Sequence, residues 1–234
     1  MAVAVSTTSA QTPLGANFGG LKSAVAAYVQ GQNLPGVLGD AGVAINSAID
    51  RLNTRNWHWL NKQSDISLVA DTRTYTVPAN FKRPRKLEKL DASSKVVGWY
   101  DYQMPKDFLD TNWNDETSGQ PYLYTVRNAV DDRLLTLNVP PTSAFVTAWL
   151  TARLTYFARL GHFASDGDTL GSIEAPPESK NFMLWYARWE IASMRGSPTQ
   201  VRDARTAWRD EWNRLMMDDT NEQTDWRVRG RYYR

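Results

Sequence analysis

Apolar residues recur at helical spacing near the start of the chain. Leu21, Val25 and Val29 fit a short first helix. Asp40 is the predicted N-cap of a second helix that reaches about Arg55 or continues beyond it. The apolar stripe of this second helix consists of Ala41, Ile45, Ala48, Ile49 and Leu52.

The last third of the chain predicts two more helices, over residues 177–194 and 199–217, joined by a Gly-Ser-Pro turn. These helices are expected to pack with the N-terminal ones. The residues predicted to be buried in this bundle are Ile45, Ile49, Val201, Trp208 and Leu215. Residues 218–234 show no apolar period, so we expect them to form an extended tail.

The hydrophobic period changes to two in the middle of the chain. Ile66 and Leu68 alternate with polar neighbours, a turn at Asp71 follows, and Tyr75 and Val77 alternate again, which predicts a β-hairpin. Further strands are predicted over residues 86–91, 96–102, 122–127, 134–139 and 145–157, with a helical turn over 104–109. No long helix interrupts these strands, which predicts a mostly antiparallel sheet.

These elements predict an α+β fold, in which N- and C-terminal helices build a bundle and a mostly antiparallel β lobe is inserted between them. The bundle is assigned to residues 21–62 and 177–217, and the β lobe to residues 63–160. The remaining segments are a flexible N-terminal arm over 1–20, a loop over 161–176 and the tail over 218–234.

Composition excludes several classes of chemistry. The 234 residues include no cysteine, which rules out disulfides, thiolate metal sites and cysteine nucleophiles. The net charge of +2 argues against a molecule that binds nucleic acid with its whole surface. No apolar run approaches the roughly 20 residues of a membrane span. The chain has ten Trp and ten Tyr, which indicates either an aromatic-rich core or surfaces buried on other proteins.

Motifs for catalysis or metal binding are weak. A metal site would need His58 and His162 to converge with carboxylates, and the position of His58 between Trp57 and Trp59 favours a packed or partly exposed side chain instead. The Asp166-Gly167-Asp168 segment lacks the remaining ligand spacing of a calcium loop. Glu174 and Glu178 keep a hydrolase with a carboxylate pair open as an alternative. We therefore predict no catalytic residue, no metal and no cofactor.

Two basic segments are candidates for binding partners. Residues 82–86 contain four cations, Lys82, Arg83, Arg85 and Lys86, that could contact phosphates. The C-terminus combines arginine with aromatic side chains, the typical anchors of protein interfaces. The predicted partner-binding residues are Trp226, Arg227, Arg229, Arg231, Tyr232, Tyr233 and Arg234.

Several segments, in order, resemble the head–tail connector adaptors of tailed bacteriophages. Residues 48–60 resemble the family's helix followed by an aromatic W-x-W/F step. Residues 67–81 are similar to its T-A-G-T-x-x-Y-x-L-P-x-D-F hairpin, with Asp71 at the usual glycine and Asn80 at the usual aspartate. Residues 119–124 resemble a G-x-P-x-x-Y strand entry, 134–141 an L-x-L-x-P-x-P strand, and 175–178 an L-P-E-E helix start.

The resemblance implies a structural virion protein without enzymatic activity. Such adaptors form a ring, usually of twelve copies, beneath the portal protein and above a tail or stopper protein. The ring extends the DNA channel without binding DNA specifically and gives the tail a platform. The implied location is the neck of the virion, after assembly in the host cytoplasm and without a membrane. Besides the hydrolase, two alternatives stay open: a nucleic-acid-binding module using residues 82–86 and the tail, and another neck ring such as a stopper or terminator.

Overall fold

The structure is a computed structural model that describes residues 17–29, 36–112, 117–128 and 133–231. Within these residues, six α-helices and a seven-stranded, mostly antiparallel sheet form an α+β fold, which confirms the predicted class. Two compact units divide the chain. A helical unit comprises the described parts of Met1–Trp59 and Leu160–Arg234, and a β unit comprises those of Leu60–Arg159.

The helices are α1 (Phe18–Tyr28), α2 (Val37–Asn53), α3 (Pro105–Asn112), α4 (Ser143–Ala148), α5 (Ser179–Arg195) and α6 (Pro198–Arg231). The strands are β1 (Asn61–Ser67), β2 (Thr74–Thr76), β3 (Phe81–Leu90), β4 (Val96–Tyr102), β5 (Leu123–Asn128), β6 (Arg133–Leu137) and β7 (Thr151–Ala158).

The helical unit packs α5 against both α2 and α6, while α1 contacts α2 and α5. All four helices contribute fully buried apolar side chains, among them Val25, Ile45, Ile49, Phe182, Ile191 and Ala204. Leu215 is also buried, as predicted. Val201 and Trp208 were predicted to be buried but are only partly so. The Trp208 ring contacts the rings of Tyr186 and Trp189.

The start of α2 differs from the prediction. Gly36 is the N-cap and adopts a φ of +85°, a left-handed conformation that glycine takes without steric cost. Asp40 therefore lies in the first turn of α2, where its carboxylate pairs with Arg195 at 2.5 Å. The helix ends at Asn53, and the Trp57 indole then donates to the Leu52 carbonyl at 2.8 Å, which satisfies a terminal helix acceptor.

The loop before α5 docks on the start of α1. Phe18 N donates to the Asp168 carbonyl at 2.8 Å, and Gly19 N donates to the Asp166 carbonyl at 3.0 Å. The Asp168 carboxylate accepts hydrogen bonds from Ser165 and Ala164, and these bonds lower its pKa. The segment that looked like a calcium loop thus forms a turn that satisfies free N–H groups of α1.

In the β unit the strand order is β1-β7-β3-β4-β5-β6-β2. Only β4 and β5 run parallel, and the other described pairs are antiparallel. One face of the sheet buries a core that includes Phe81, Leu87, Tyr100, Tyr124, Leu137, Leu154 and Tyr156. Burial in this apolar core raises the pKa of the Tyr100 and Tyr124 hydroxyls.

The predicted β-hairpin between residues 65 and 77 is wrong. β1 pairs with β7 and β2 pairs with β6, so the two strands lie at opposite edges of the sheet. A side chain closes the intervening turn instead, since the Tyr75 hydroxyl donates to the Thr72 carbonyl at 2.7 Å. Asp71 adopts a φ of +59°, which accounts for the glycine that resembling sequences carry at this position.

The long strand predicted over 145–157 is also corrected. The Thr142 hydroxyl accepts a hydrogen bond from Phe145 N at 3.2 Å and caps the short helix α4, so β7 begins only at Thr151. The other predicted strands each overlap an observed strand, and the helical turn near Pro105 is α3.

The last helix is longer than predicted. α6 does not end at Met217 but continues as helix to Arg231, so the predicted extended conformation is wrong for residues 218–231. Between Pro198 and Gly230 the chain has no proline or glycine. Extending an existing helix costs far less than nucleating one, so helix-forming residues can prolong α6 without an apolar period.

Candidate functional site

The C-terminal helix α6 is twice as long as the helix it packs against. α5 has 17 residues and α6 has 34. Near the start of α5, Arg214 of α6 donates from Nη2 to the Glu178 carbonyl at 3.1 Å. Since the two helices are antiparallel neighbours, α6 passes the first residue of α5 here and continues to Arg231. The helix axis of α6 therefore extends past the first residue of α5.

A buried aspartate fixes α6 shortly after this point. Asp219 is only 2% exposed, and its carboxylate accepts a hydrogen bond from His58 N at 2.5 Å. Arg55 approaches the same carboxylate at 3.7 Å and contacts the Met216 sulfur at 3.1 Å. The segment after α2 thus holds α6 as far as residue 219, beyond which the helix continues for about 18 Å at 1.5 Å per residue.

Most of the predicted partner-binding residues lie on this continuation. The backbone of Trp226, Arg227, Arg229 and Arg231 is helical. The last three predicted residues, Tyr232, Tyr233 and Arg234, lie outside the described residues. Residues 218–231 of the segment predicted to be an extended tail are therefore part of a helix.

The basic run over residues 82–86 lies within β3, which begins at Phe81, five residues before the strand predicted from residue 86. Burial lowers the pKa of Lys82, and the neighbouring charges of Arg159 and Arg83 lower it further. Burial and the charge of Arg159 likewise lower the pKa of Arg133, whose guanidinium donates to the Phe81 carbonyl. The sheet thus brings together four cations from three strands or strand ends, which we call the basic cluster: Lys82, Arg83, Arg133 and Arg159.

The register of β3 explains this clustering. β3 pairs with β7 along its whole length, but it pairs with β4 only from Leu87 onward. Pro84, which lacks an N–H donor, lies in the half without a β4 partner, and the register shifts on both sides of it. Lys86 is partly neutralised by Glu88 at 2.6 Å, whereas Arg83 and Arg85 are exposed. Cations held this close repel each other, so the cluster favours an anionic partner.

Strand β4 exposes an apolar surface that the sequence analysis did not identify. Trp99 is 70% exposed, the highest exposure among tryptophans with a described side chain, and Val97 on the same face is also exposed. Tyr102 at the end of β4 and Met104 just after it are also exposed, and so is Tyr122, which directly precedes β5. The sequence did contain a signal for this surface, because β4 has apolar residues on both of its faces. This pattern is typical of strands that are covered on both faces.

Charged residues border Trp99 on the outer face of the sheet. Trp99 lies opposite Glu88 of β3, Glu88 lies opposite Arg153 of β7, and Arg153 lies opposite Asp65 of β1. Arg153 donates to the Asp65 carboxylate at 2.8 Å, and this hydrogen bond lowers the pKa of Asp65. An apolar patch beside a charged rim is the usual composition of a protein–protein interface.

The residues considered for catalysis or metal binding do not converge. His162 pairs with Asp50 at 2.8 Å, while the backbone of His58 binds Asp219. Glu178 precedes α5, and Glu174 ends a short 3-10 turn in a left-handed conformation. Across the described part of the chain, no three His, Asp or Glu side chains are placed to hold a metal ion.

Comparison with known proteins gives the family. A family model described as SU10 adaptor protein matches residues 16–232. The chain belongs to the SU10 adaptor family. This is a family of phage structural proteins and not a class of enzymes, and a structural adaptor of a phage is part of the virion. A comparison with curated proteins returned no matching relative.

The SU10 adaptor match spans both units, so the family is defined by the helical unit and the β unit together. It also includes α6 beyond Asp219. None of the helices in the described ranges is both long and apolar enough to cross a membrane. Membership of the adaptor family implies that the protein interacts with other phage head and tail proteins.

Proposed function

We propose that this SU10 adaptor forms a ring, of twelve copies, between the portal protein and a tail or stopper protein. The ring extends the DNA channel in the neck of the virion and gives the tail its platform. Assembly takes place in the host cytoplasm, and no cofactor takes part. Family membership supports an adaptor role in general, and the surfaces described above support the specific contacts.

The observation that carries the proposal is the second half of α6. Asp219 anchors the helix to the rest of its unit, and a further helical segment then ends in a sequence rich in Arg and aromatic residues. Such residues dominate the binding energy of protein interfaces. We therefore assign portal or neighbouring-subunit binding to Trp226, Arg227, Arg229, Arg231, Tyr232, Tyr233 and Arg234.

The exposed face of β4 supplies a second surface for ring assembly. A cyclic ring uses two different surfaces of each subunit, because every copy contacts one neighbour on either side. Trp99 and Val97 offer an apolar centre, and the Asp65–Arg153 pair offers a charged rim. In the assembled ring this patch is buried on the neighbouring subunit.

Deletion of residues 226–234 tests the assignment of the α6 end. The truncated protein should fold normally, because the deleted residues lie beyond the Asp219 anchor, and it should fail to co-purify with the portal protein. A sharper variant replaces three arginines by glutamine, R227Q/R229Q/R231Q. Its matched control, R202Q/R205Q/R209Q, removes the same charge from exposed positions near the start of α6. Undiminished portal binding by the truncated protein would refute the assignment.

The basic cluster supports a second candidate function, nucleic-acid binding through residues 82–86 and the C-terminal segment. Lys82, Arg83 and Arg159 lie close enough to depress the Lys82 pKa, so phosphate groups would relieve their repulsion. If the chain binds DNA in this way, retention of the isolated protein on DNA should fall steeply with salt and weaken in an R83Q/R85Q variant. Salt-independent or absent retention leaves the adaptor ring as the function.

A further inference from the structure

A carboxylate and three aromatic rings lie together in the helical unit. Trp189 and Glu190 follow Tyr186 by three and four positions, so the three residues share one face of α5. Trp208 of α6 packs on this face, with its ring centre 5.5 Å from that of Tyr186 and 5.7 Å from that of Trp189. We call these four half-buried side chains the acidic aromatic site.

Packing explains the rings of this site but not its charge. Glu190 has no ion pair within the part of the chain that the structure describes. Burial raises the pKa of its carboxyl, and a hydrogen bond from Ser47 of α2 opposes this shift. Burial and the charge of Glu190 also raise the pKa of the Tyr186 hydroxyl, so the carboxylate lies close to this ring. A half-buried carboxylate without a counter-ion costs free energy, which a bound cation would offset.

Two arginines of the same unit lie on neighbouring rings without neutralising Glu190. The Arg51 guanidinium is 5.3 Å from the centre of the Trp212 ring, and the Arg209 guanidinium is 5.8 Å from the centre of the Trp208 ring. Neither forms an ion pair with Glu190 among the described contacts. Aromatic rings of this unit therefore already accept guanidinium groups, and the carboxylate beside them adds an acceptor for one more.

The chemistry of the site selects arginine. A guanidinium group stacks on aromatic rings and donates two hydrogen bonds to one carboxylate. Residues 226–234 contain four arginines. This segment does not reach the site of its own subunit, because α6 is a continuous helix that separates Trp208 from Arg227 by about 28 Å at 1.5 Å per residue.

We propose that the acidic aromatic site binds an arginine from residues 226–234 of a second copy of this chain. The inference rests on the ring proposed above and gives the end of α6 its receiving surface on the neighbouring subunit. The end of α6 and the acidic aromatic site are different surfaces of one subunit. The contact is therefore head-to-tail and repeats from copy to copy until the ring closes.

A fluorescent synthetic peptide of residues 226–234 tests the site by fluorescence anisotropy. It is titrated with the full-length protein, diluted until the protein sediments as a monomer. We expect saturable binding to the wild-type protein. Glu190→Gln keeps the shape of the side chain but removes its charge, and should weaken binding about tenfold. Asp210→Asn is the matched control, since it removes an exposed carboxylate of the same unit, and should bind the peptide as wild type does.

Two further readouts separate recognition from packing. A peptide carrying R227Q/R229Q/R231Q should lose binding to the wild-type protein. Glu190→Gln should bind the peptide less tightly although its Tm at pH 7 is higher, because the unpaired carboxylate destabilises the free subunit. A weaker affinity together with a lower Tm would instead indicate that Glu190 serves packing, which would overturn the proposal.

Other outcomes also overturn the proposal. These are no saturable binding to the wild-type protein, equal affinity for wild type and Glu190→Gln, or an equal loss of affinity in Asp210→Asn. None of them decides whether the end of α6 binds the portal protein, which the deletion of residues 226–234 tests separately. Failure of this inference is therefore distinguishable from failure of the proposed function.

Discussion

The helical unit and the β unit both bury aromatic residues, but they differ in where aromatic side chains are exposed. In the helical unit, aromatic rings of α5 pack on rings of α6. The ring centres of Phe182 and Trp212 are 5.2 Å apart, and those of Tyr186 and Trp208 are 5.5 Å apart. In the β unit, Trp99, Tyr102 and Tyr122 are exposed to solvent. The large number of aromatic residues thus has two causes: internal packing, which occurs in both units, and an exposed surface, which among side chains of described burial occurs in the β unit.

This difference shows that aromatic content alone does not locate an interface. An amphipathic helix pair must bury its apolar stripe to be stable, so aromatics at helical spacing are already accounted for within the chain. An exposed aromatic on a strand has no such explanation inside its own unit, which makes Trp99 the stronger indicator of a partner.

The largest effect should come from replacing an internal tryptophan. Trp57 is fully buried, stacks on Trp59 and contacts Trp212 at 5.2 Å. We expect Trp57→Ala to lower the free energy of unfolding by about 3–5 kcal/mol, measured by urea denaturation. Trp99→Ala is the matched control and should change stability by less than about 0.5 kcal/mol while weakening subunit association. If both variants lost the same free energy of unfolding, the two tryptophans would not differ in their role and the contrast between the units would be wrong.

A smaller effect is expected at the buried anchor of α6. Asp219→Ala removes the acceptor of the His58 N–H and should cost about 1–3 kcal/mol. Asp219→Asn retains an acceptor oxygen and should cost less. Urea denaturation of both variants measures the difference. If Asp219→Ala were as stable as wild type, the second half of α6 would not be fixed by this contact.

A pH-dependent effect is expected at Glu190 of α5. Burial raises the pKa of this carboxyl, although a hydrogen bond with Ser47 opposes the shift. Because the pKa of Glu190 is raised in the folded state, its protonated carboxyl contributes most to stability below the ordinary pKa of 4.5. This contribution is lost as the pH rises through the folded-state pKa. Glu190→Gln should therefore raise Tm at pH 7 and have less effect near pH 4. Asp210→Asn, which changes an exposed carboxylate, is the control, and its effect on Tm should not depend on pH in this way. The same pH-dependent change of Tm in both variants would argue against a specific role for the Glu190 carboxyl.

The smallest effect should come from the surface pair of the β unit. The hydrogen bond from Arg153 lowers the pKa of Asp65, so the contribution of the pair is present above the ordinary Asp pKa and lost as pH falls. Both side chains are solvated, and Asp65→Asn should change monomer stability least among these variants. Thermal unfolding from pH 3 to 7 measures this change. If Asp65→Asn lowered the stability of the monomer as much as Asp219→Ala, the Asp65–Arg153 pair would stabilise the fold itself and would be more than the charged rim of an interface.

The sequence predicted where helices and strands lie better than it predicted which strands pair with each other. Helical periodicity located α1, α2 and α5 because each buries one apolar stripe, as with Ile45 and Ile49. It could not show that β1 pairs with β7, because strand pairing depends on contacts between distant segments that period-two patterns do not encode. The end of α6 was missed for another reason: a helix continued by propensity alone has no apolar period.

The candidate surfaces were predicted in part. The cations of residues 82–86 were visible in the sequence, but Arg159 joins them only through the pairing of β3 with β7, and Arg133 only through its hydrogen bond to the Phe81 carbonyl.

The central claim is that this SU10 adaptor assembles as a ring on the portal protein through the end of α6. Electron microscopy of the full-length protein mixed with its portal tests it most directly, with the protein lacking residues 226–234 imaged in parallel. The account predicts a symmetric ring seated on the portal for the full-length protein and bare portals for the truncated one. Bare portals in both samples, or identical rings in both, would contradict it.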